Sequence, residues 1–337
     1  MEIEGTILTG RSFDPLTGRI VIDDGTITAI EEADVSSNSI ILPAFINAHT
    51  HIGDSIAKDA GEGLSLEELV APPDGLKHRL LRSASQTEVI DAMYRTIQLL
   101  HRWGTAAFID FREGGVPGVH ALRQAAMEQP VEAIILGRDD QAILESADGY
   151  GASGAADANF ERDRERTAER GKLFGIHAGE HDPADIDPAL DLAPDFMVHL
   201  VTANESHLER IEATQTPVVV CPRSNMATGV GIPPIEQLHS RTTVALGTDN
   251  VMLTSPSMFR EMAFVESMTD LDPAEILGMA TWAGANIGDL PAGEIAVGAP
   301  AKLLVLDGDS DNLSNSQAIV RSIVRRAGPA DIERVIL

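Results

Sequence analysis

The feature that most constrains the fold is an alternation of short apolar runs and amphipathic stretches between residues 43 and 289. Seven apolar runs are candidate strands: residues 44–48, 105–110, 131–136, 173–176, 196–200, 218–221 and 243–247. Stretches with helical periodicity lie between them, at residues 87–103, 119–127, 159–170 and 205–213. Strands that alternate with helices in this way predict βαβ units and a parallel sheet.

The number of strands selects among the parallel α/β folds. An eighth strand is predicted within residues 144–152, a Gly- and Ala-rich stretch. Eight strands within about 250 residues match a (β/α)8 TIM-type barrel, whose catalytic groups lie at the C-terminal ends of the strands. A doubly wound open sheet is the alternative. No Gly-x-Gly-x-x-Gly follows a strand, and no Walker-type phosphate loop occurs.

Both ends of the chain are rich in β-type runs. Near the N-terminus these are residues 3–8, 19–22 and 26–30, with a tight-hairpin signal at Asp23-Asp24-Gly25. Near the C-terminus they are residues 293–298, 301–307, 320–324 and 332–337. We expect residues 1–42 plus 290–337 to form one small β-sandwich domain, and residues 43–289 to form the barrel.

The composition is strongly acidic. The chain has 52 acidic and 25 basic residues, a net charge of −27 and four lysines. Such charge weakens a compact state at low salt and repels nucleic acid polymers and anionic membranes. Concentrated salt would screen it, since the Debye length falls to about 3 Å at 1 M. We expect a halophilic protein; the alternative is an acidic protein without salt dependence.

Other features of the sequence favour a cytoplasmic location. The N-terminal residues lack the basic and apolar regions of a signal peptide, and no apolar run is long enough to span a membrane. The single cysteine, Cys221, excludes an intrachain disulfide.

The first barrel strand ends in His-Thr-His. Side chains alternate along a strand, so His49 and His51 point to the same side. Two imidazoles on one face are well placed to bind one metal ion. The alternative is a pair of ordinary polar residues at a strand end.

Polar residues also follow later strands. They are His177 with Glu180, His199, the Cys221–Asn225 turn (Cys-Pro-Arg-Ser-Asn) and Asp249. Three imidazoles and one carboxylate suit a site for Zn²⁺, with Fe²⁺ as the alternative. Taken singly, His199 is typical of a core histidine and Asp249 of a turn or a helix cap. Their common position at strand ends indicates a site.

These motifs resemble the amidohydrolase superfamily, in particular its branch of cytosine-, guanine- and adenosine-type deaminases and chlorohydrolases. The resemblance covers nearly the whole chain and includes Pro-x-Phe-Ile-Asn-x-His-Thr-His, His-x-x-Glu, Cys-Pro-x-Ser-Asn and Leu-Gly-Thr-Asp-Asn. It implies one metal ion held by His49, His51, His177 and Asp249. The lysine of two-metal members is missing, since none lies between Lys77 and Lys172.

The resemblance also implies catalytic roles. Glu180 falls on the proton-shuttle position and His199 on the histidine that orients water or substrate. Physical reasoning adds that Asp249 can accept a proton from the metal-bound water. A metal ion lowers the pKa of water toward 7, and a carboxyl beyond the strand can protonate a ring nitrogen. The alternative is that Glu180 orients the ligand His177 and takes no part in proton transfer.

The expected activity is deamination of a nitrogen heterocycle: a nucleobase, a nucleoside or a pterin. The alternatives are hydrolysis of a cyclic amide or of another C–N or C–Cl bond, and a catalytically idle binding module. Candidate substrate contacts are Arg223, Asn225 and Arg112, each with a structural ion pair or turn as the alternative. The chain is short for this branch, which suggests an open pocket or one completed in a homo-oligomer.

Overall fold

The computed structural model describes residues 1–65, 68–69 and 74–337, apart from the side chain of Gln141. Its strands, in chain order, are β1 (Glu2–Thr9), β2 (Asp14–Asp23), β3 (Thr26–Glu32), β4 (Ile40–Pro43), β5 (Phe45–His51), β6 (Thr105–Arg112), β7 (Glu132–Gly137), β8 (Gly149–Ala152), β9 (Leu173–Ala178), β10 (Phe196–His199), β11 (Val218–Val220), β12 (Val244–Leu246), β13 (Asp249–Asn250), β14 (Leu303–Leu306) and β15 (Ile332–Ile336).

The α-helices of the described residues alternate with the middle strands, as the sequence predicts. They are α1 (Leu76–Ser83), α2 (Gln86–Arg102), α3 (Gly115–Ala126), α4 (Glu161–Glu169), α5 (Ile186–Asp191), α6 (Glu205–Thr214), α7 (Pro222–Thr228), α8 (Ile235–His239), α9 (Met258–Met268), α10 (Pro273–Met279), α11 (Trp282–Ile287) and α12 (Ile319–Arg326). None of them is long and apolar enough to cross a membrane.

The middle strands form a curled parallel sheet in the order β12-β11-β10-β9-β8-β7-β6-β5-β13. β12 and β13 belong to one stretch of chain, and β13 pairs with β5 through Asp249 and Thr50. This pairing brings the last strand back to the first and gives a TIM-type barrel. The eighth strand, predicted within residues 144–152, is β8.

The break between β12 and β13 depends on Gly247. Its amide donates to the carbonyl of Val220, while the amide of Thr248 donates to His49 on the opposite neighbour. A Cβ atom at Gly247 would lie 2.7 Å from Cβ of His49. The chain therefore needs glycine where it passes from one neighbouring strand to the other.

The two chain ends share a second sheet, with strand order β15-β14-β4-β1-β2-β3. β14 pairs with β4 in antiparallel register. The β2–β3 hairpin turns at Asp24 and Gly25, whose φ angles of 45° and 72° are those of a type I′ turn. The predicted pairing of the chain ends is thus present in one six-stranded sheet.

Two predictions for the C-terminal end are wrong. Residues 293–298 form bends and turns rather than a strand, and residues 320–324 lie in α12. The apolar residues of α12 recur at Ile319, Val320, Ile323 and Val324, a helical spacing. This face packs against α9 and α10 of the barrel, so tertiary packing selects the helix despite β-branched residues.

Candidate metal centre

The ligand candidates lie on three barrel strands, at one mouth of the barrel. His49 and His51 end β5, His177 is the penultimate residue of β9, and Asp249 begins β13. His49, His51 and Asp249 are buried. Because the strands are parallel, their C-terminal ends meet at one mouth of the barrel.

Four donor atoms of these residues converge. His177 Nε2 lies 3.3 Å from His49 Nε2 and 3.4 Å from His51 Nε2. Asp249 Oδ1 lies 3.3 Å from His49 Nε2 and 3.6 Å from His51 Nε2. Tetrahedral zinc with bonds of about 2.0–2.1 Å places its ligand atoms about 3.3–3.4 Å apart. These four distances are close to that spacing, and the ligand atoms of His49, His51 and Asp249 all lie within 4.8 Å of one another.

Neighbouring groups orient these ligands. His177 Nδ1 lies 2.9 Å from the carbonyl of Ala152, and His51 Nδ1 lies 3.0 Å from Oε1 of Glu113. A proton on each Nδ1 leaves the Nε2 lone pairs facing one another and Asp249. Such an arrangement is repulsive until a cation lies between the lone pairs.

The electrostatics favour the ligating protonation states. Burial lowers the pKa of His51 to about 3 and that of His177 well below its usual value. Burial alone would raise the pKa of Asp249, but the hydrogen bond from His49 and the nearby imidazoles hold that pKa well below its usual value. Neutral imidazoles and an ionised carboxylate are the forms that bind metal.

Glu180 and His199 lie beside this ligand set. His199 Nε2 is 3.6 Å from Glu180 Oε2, and Asn225 Nδ2 lies 3.4 Å from Glu180 Oε1 and 3.1 Å from His199 Nδ1. Burial raises the pKa of Glu180. His199 has a left-handed backbone with φ of 82°, a strained conformation for a non-glycine residue. Strain of this kind clusters at functional sites.

A cavity of about 650 Å³ opens over the site. This volume is within the range of small-molecule sites. The residues in its wall include the following: His51, Lys77, Arg138, His177, Glu180, His181, His199, Asp249 and Asn250.

The three predicted substrate contacts have different positions. Asn225 is buried but contacts Glu180 and His199 directly. Arg223 pairs with Glu261 at 3.2 Å. Arg112 is buried, with Nη2 2.7 Å from Glu113. Among the described residues, neither arginine lines the cavity.

Lys77 is a further residue of the site, and no sequence motif predicts it. Its ammonium comes from α1 and lies 2.8 Å from Glu113 Oε1 and 3.1 Å from Asp54 Oδ2. Arg138 follows β7 and lies 3.8 Å from the same oxygen of Glu113. Glu113 and Arg138 carry a signal, since each follows a strand. For Lys77 the only sequence signal of a functional role is the rarity of lysine in this chain.

Comparison with known proteins gives one family match and several relatives. The profile described as amidohydrolase family matches residues 40–169 and 156–336. A putative aminohydrolase of Methanothermobacter thermautotrophicus is 35% identical, with 90% of each chain covered. A 5-methylthioadenosine/S-adenosylhomocysteine deaminase of Haloquadratum walsbyi is 24% identical over 95% of this chain and 85% of its own.

A solved structure shares the fold. The zinc complex of atrazine chlorohydrolase from Arthrobacter aurescens superposes with a TM-score of 0.82 at 16% identity. The superposition covers 100% of this chain and 93% of the chlorohydrolase.

Proposed function

The chain belongs to the amidohydrolase family, and from that premise we propose that it is a metal-dependent aminohydrolase acting on a nitrogen heterocycle. A nucleobase, a nucleoside or a pterin has the ring chemistry required. The observation that carries the proposal is the position of Glu180, whose carboxyl lies in the cavity wall next to His199 and whose pKa is raised by burial. Metal binding alone does not need such a carboxyl, whereas ring deamination does.

We propose that one divalent ion is held by His49, His51, His177 and Asp249. The zinc complex of the fold relative and the donor spacing support zinc, with Fe²⁺ as the alternative. When bound, a divalent ion supplies a water nucleophile that is active at neutral pH.

The residues around the ion handle the protons. Asp249 has one oxygen toward His49 and accepts a hydrogen bond from Ser224 on the other at 2.5 Å, so it is fixed to take a proton from water. Glu180 then donates a proton to the ring nitrogen next to the carbon under attack. His199 would orient water and substrate. The proton that Asp249 takes from water would pass to the amino group, and the C–N bond would break as that group leaves as ammonia. The proton of the new hydroxyl group would return to Glu180 as the carbonyl forms.

Asn225 holds this pair in place, because its side chain contacts both Glu180 and His199. Arg223 and Arg112 remain candidates for substrate contact only if the cavity rearranges, since each is paired with a carboxylate outside the cavity wall.

The decisive experiment replaces Glu180 by Gln in zinc-loaded protein. Ammonia release should fall by about 10²- to 10⁴-fold, the usual contribution of a general acid–base group, while zinc content stays at one equivalent. The assay measures ammonia from a panel of purines, pyrimidines, pterins and their nucleosides. An active Glu180→Gln protein would contradict the proposed role.

The same panel separates the alternatives. Turnover of a cyclic amide or a chlorinated ring without ammonia release would favour another hydrolase on this scaffold. Zinc content far below one equivalent, together with no turnover, would favour a binding module.

We also propose the properties of the whole protein. Residues 1–42 plus 290–337 would form a small β-sandwich domain beside a barrel of residues 43–289, supported by the shared six-stranded sheet. The net charge of −27 supports a halophilic protein that binds neither nucleic acid polymers nor membranes. We also propose that the protein acts in the cytoplasm. A homo-oligomer would complete the pocket.

A further inference from the structure

Two buried cations line the cavity next to the metal centre. Lys77 is 5% exposed and Arg138 is 8% exposed, and both belong to the cavity wall. Burial of a charge is costly, and long cationic side chains rarely stay buried unless they are paired. In a chain with only four lysines, one of them occupies this wall.

Among the described residues, the ammonium of Lys77 has three polar neighbours. Its ammonium has three N–H donors. It forms ion pairs with Glu113 and Asp54, although Glu113 Oε1 and Asp54 Oδ2 have no hydrogen-bond partner among the described residues. The third neighbour is Nδ1 of His51 at 3.5 Å. That nitrogen also lies 3.0 Å from Glu113 Oε1, and in the tautomer that leaves Nε2 free for a metal ion it carries a proton and accepts nothing from Lys77.

Arg138 has still fewer partners. Its Nε and Nη2 atoms have no hydrogen-bond partner within residues 1–65, 68–69 and 74–337. Its nearest carboxylate is Glu113, at 3.8 Å, and its guanidinium lies 5.8 Å from the centre of the Phe111 ring. A buried guanidinium with unpaired donors is an incomplete site for an anion.

The carboxylates that pair with these cations lie behind them. Neither Glu113 nor Asp54 belongs to the described wall of the cavity. On this side the wall contributes the cations of Lys77 and Arg138, while its carboxylates come from other segments: Asp157, Glu180, Asp182, Asp185 and Asp249. A ligand with one acidic oxygen is complementary to the cationic side.

We propose that Lys77 and Arg138 bind an anionic oxygen attached directly to the heterocycle, either a ring carboxylate or a ring oxyanion. The inference rests on the proposed function of the site and names its substrate class. Lys77 touches the metal ligand His51, and Arg138 lies over Phe111, whose ring is 4.9 Å from that of His177. The anion must therefore lie close to the reacting ring, not at the end of a sugar.

The test measures binding to zinc-loaded protein by calorimetry, independently of turnover. The ligands are uracil, orotate with a ring carboxylate, barbiturate with a ring oxyanion, and uridine monophosphate with a distant phosphate. Orotate, barbiturate or both should bind at least about tenfold more tightly than uracil, as expected for one charged hydrogen bond. Which of the two binds identifies the source of the anionic oxygen.

The variants Lys77→Met and Arg138→Met should each remove this preference and change uracil affinity far less. Lys302→Met and Arg325→Met are matched controls, since both residues form surface ion pairs far from the cavity wall. Zinc content and thermal unfolding are measured for each variant.

Equal affinity of the unmodified protein for all three bases would overturn the inference without any variant. So would a preference limited to uridine monophosphate, or one that survives in both variants. Anion preference without ammonia release from any heterocycle would contradict the proposed deamination and leave this inference intact. Ammonia release from neutral rings only would support the proposed deamination and contradict the proposed binding of an anionic oxygen.

Discussion

At the scale of single residues, Glu113 lies between the proposed metal ligand His51 and two cations. Its Oε1 atom is 3.0 Å from His51 Nδ1 and 2.8 Å from the ammonium of Lys77. A carboxylate that accepts from the distal nitrogen of a ligand histidine fixes its tautomer and raises its basicity. Glu113 thus positions His51 without touching substrate.

Replacement of Glu113 by Gln should weaken zinc binding by about 10- to 100-fold, the usual effect of losing such a partner. Competition with a chromogenic chelator measures the affinity directly. Glu132→Gln is the matched control, because Glu132 pairs with Lys302 at the surface. Unchanged zinc affinity in Glu113→Gln would mean that His51 needs no carboxylate.

A second carboxyl shows how burial changes the dependence of stability on pH. Burial raises the pKa of Glu261 from 4.5 to about 8, although Arg223 opposes the shift. Between these values the folded protein keeps a proton that the unfolded chain loses. Its contribution to stability is therefore complete below pH 4.5 and is lost as the pH rises to about 8.

Glu261→Gln should remove this part of the pH dependence. The unfolding temperature of the unmodified protein should fall more steeply from about pH 5 to about pH 8 than that of the variant. Glu209→Gln, at an exposed position, is the control. Parallel curves for Glu261→Gln and the unmodified protein would contradict the assignment.

At the scale of elements, strand ends were predictable and one C-terminal helix was not. The barrel strands are apolar runs, and their polar ends mark the mouth where the metal ligands meet. Three of residues 320–324 are β-branched and apolar, namely Val320, Ile323 and Val324, so the local preference favours a strand. Their packing against α9 and α10 decides otherwise, and this contact is not visible in the sequence.

The same limit applies to the site. The ligand candidates belong to short motifs at strand ends, and these motifs can be read directly from the sequence. Lys77 reaches the cavity from α1, and its position depends on how that helix lies over the barrel mouth. No short-range pattern contains this information.

The helical assignment of α12 makes a stability prediction. Ile323 is completely buried, and Ile323→Ala should lower the free energy of unfolding by about 2–5 kcal/mol. Arg321→Ala, on the exposed face of the same helix, should change it by less than about 0.5 kcal/mol. Denaturant unfolding measures both. Similar losses in the two variants would be inconsistent with burial of the Ile323 face.

At the scale of the whole molecule, the charge of −27 acts on every element at once. Acidic side chains repel one another in the folded state, and the repulsion weakens as salt shortens the Debye length. Buried pairs such as Arg112 with Glu113 are screened much less. Salt should therefore act mainly through the surface.

The unfolding temperature should rise markedly between about 0.1 M and about 2 M KCl, where the Debye length falls from about 10 Å to a few ångströms. Differential scanning calorimetry of zinc-loaded protein measures it. Sucrose, an uncharged stabiliser, is the control for effects unrelated to charge. The same unfolding temperature at both salt concentrations would show that the acidic surface has no such role.

The passage of the chain from β12 to β13 through Gly247 has a consequence for how the protein assembles. It puts Asp249 next to β5, so the proposed ligand of the last strand joins those of the first, and His177 of β9 completes the set. A bound ion is thus a cross-link between distant parts of the chain. A barrel that lacks its final strand has only an incomplete ligand set. The pairing of β13 with β5 therefore closes the barrel and completes the proposed metal site in the same folding step.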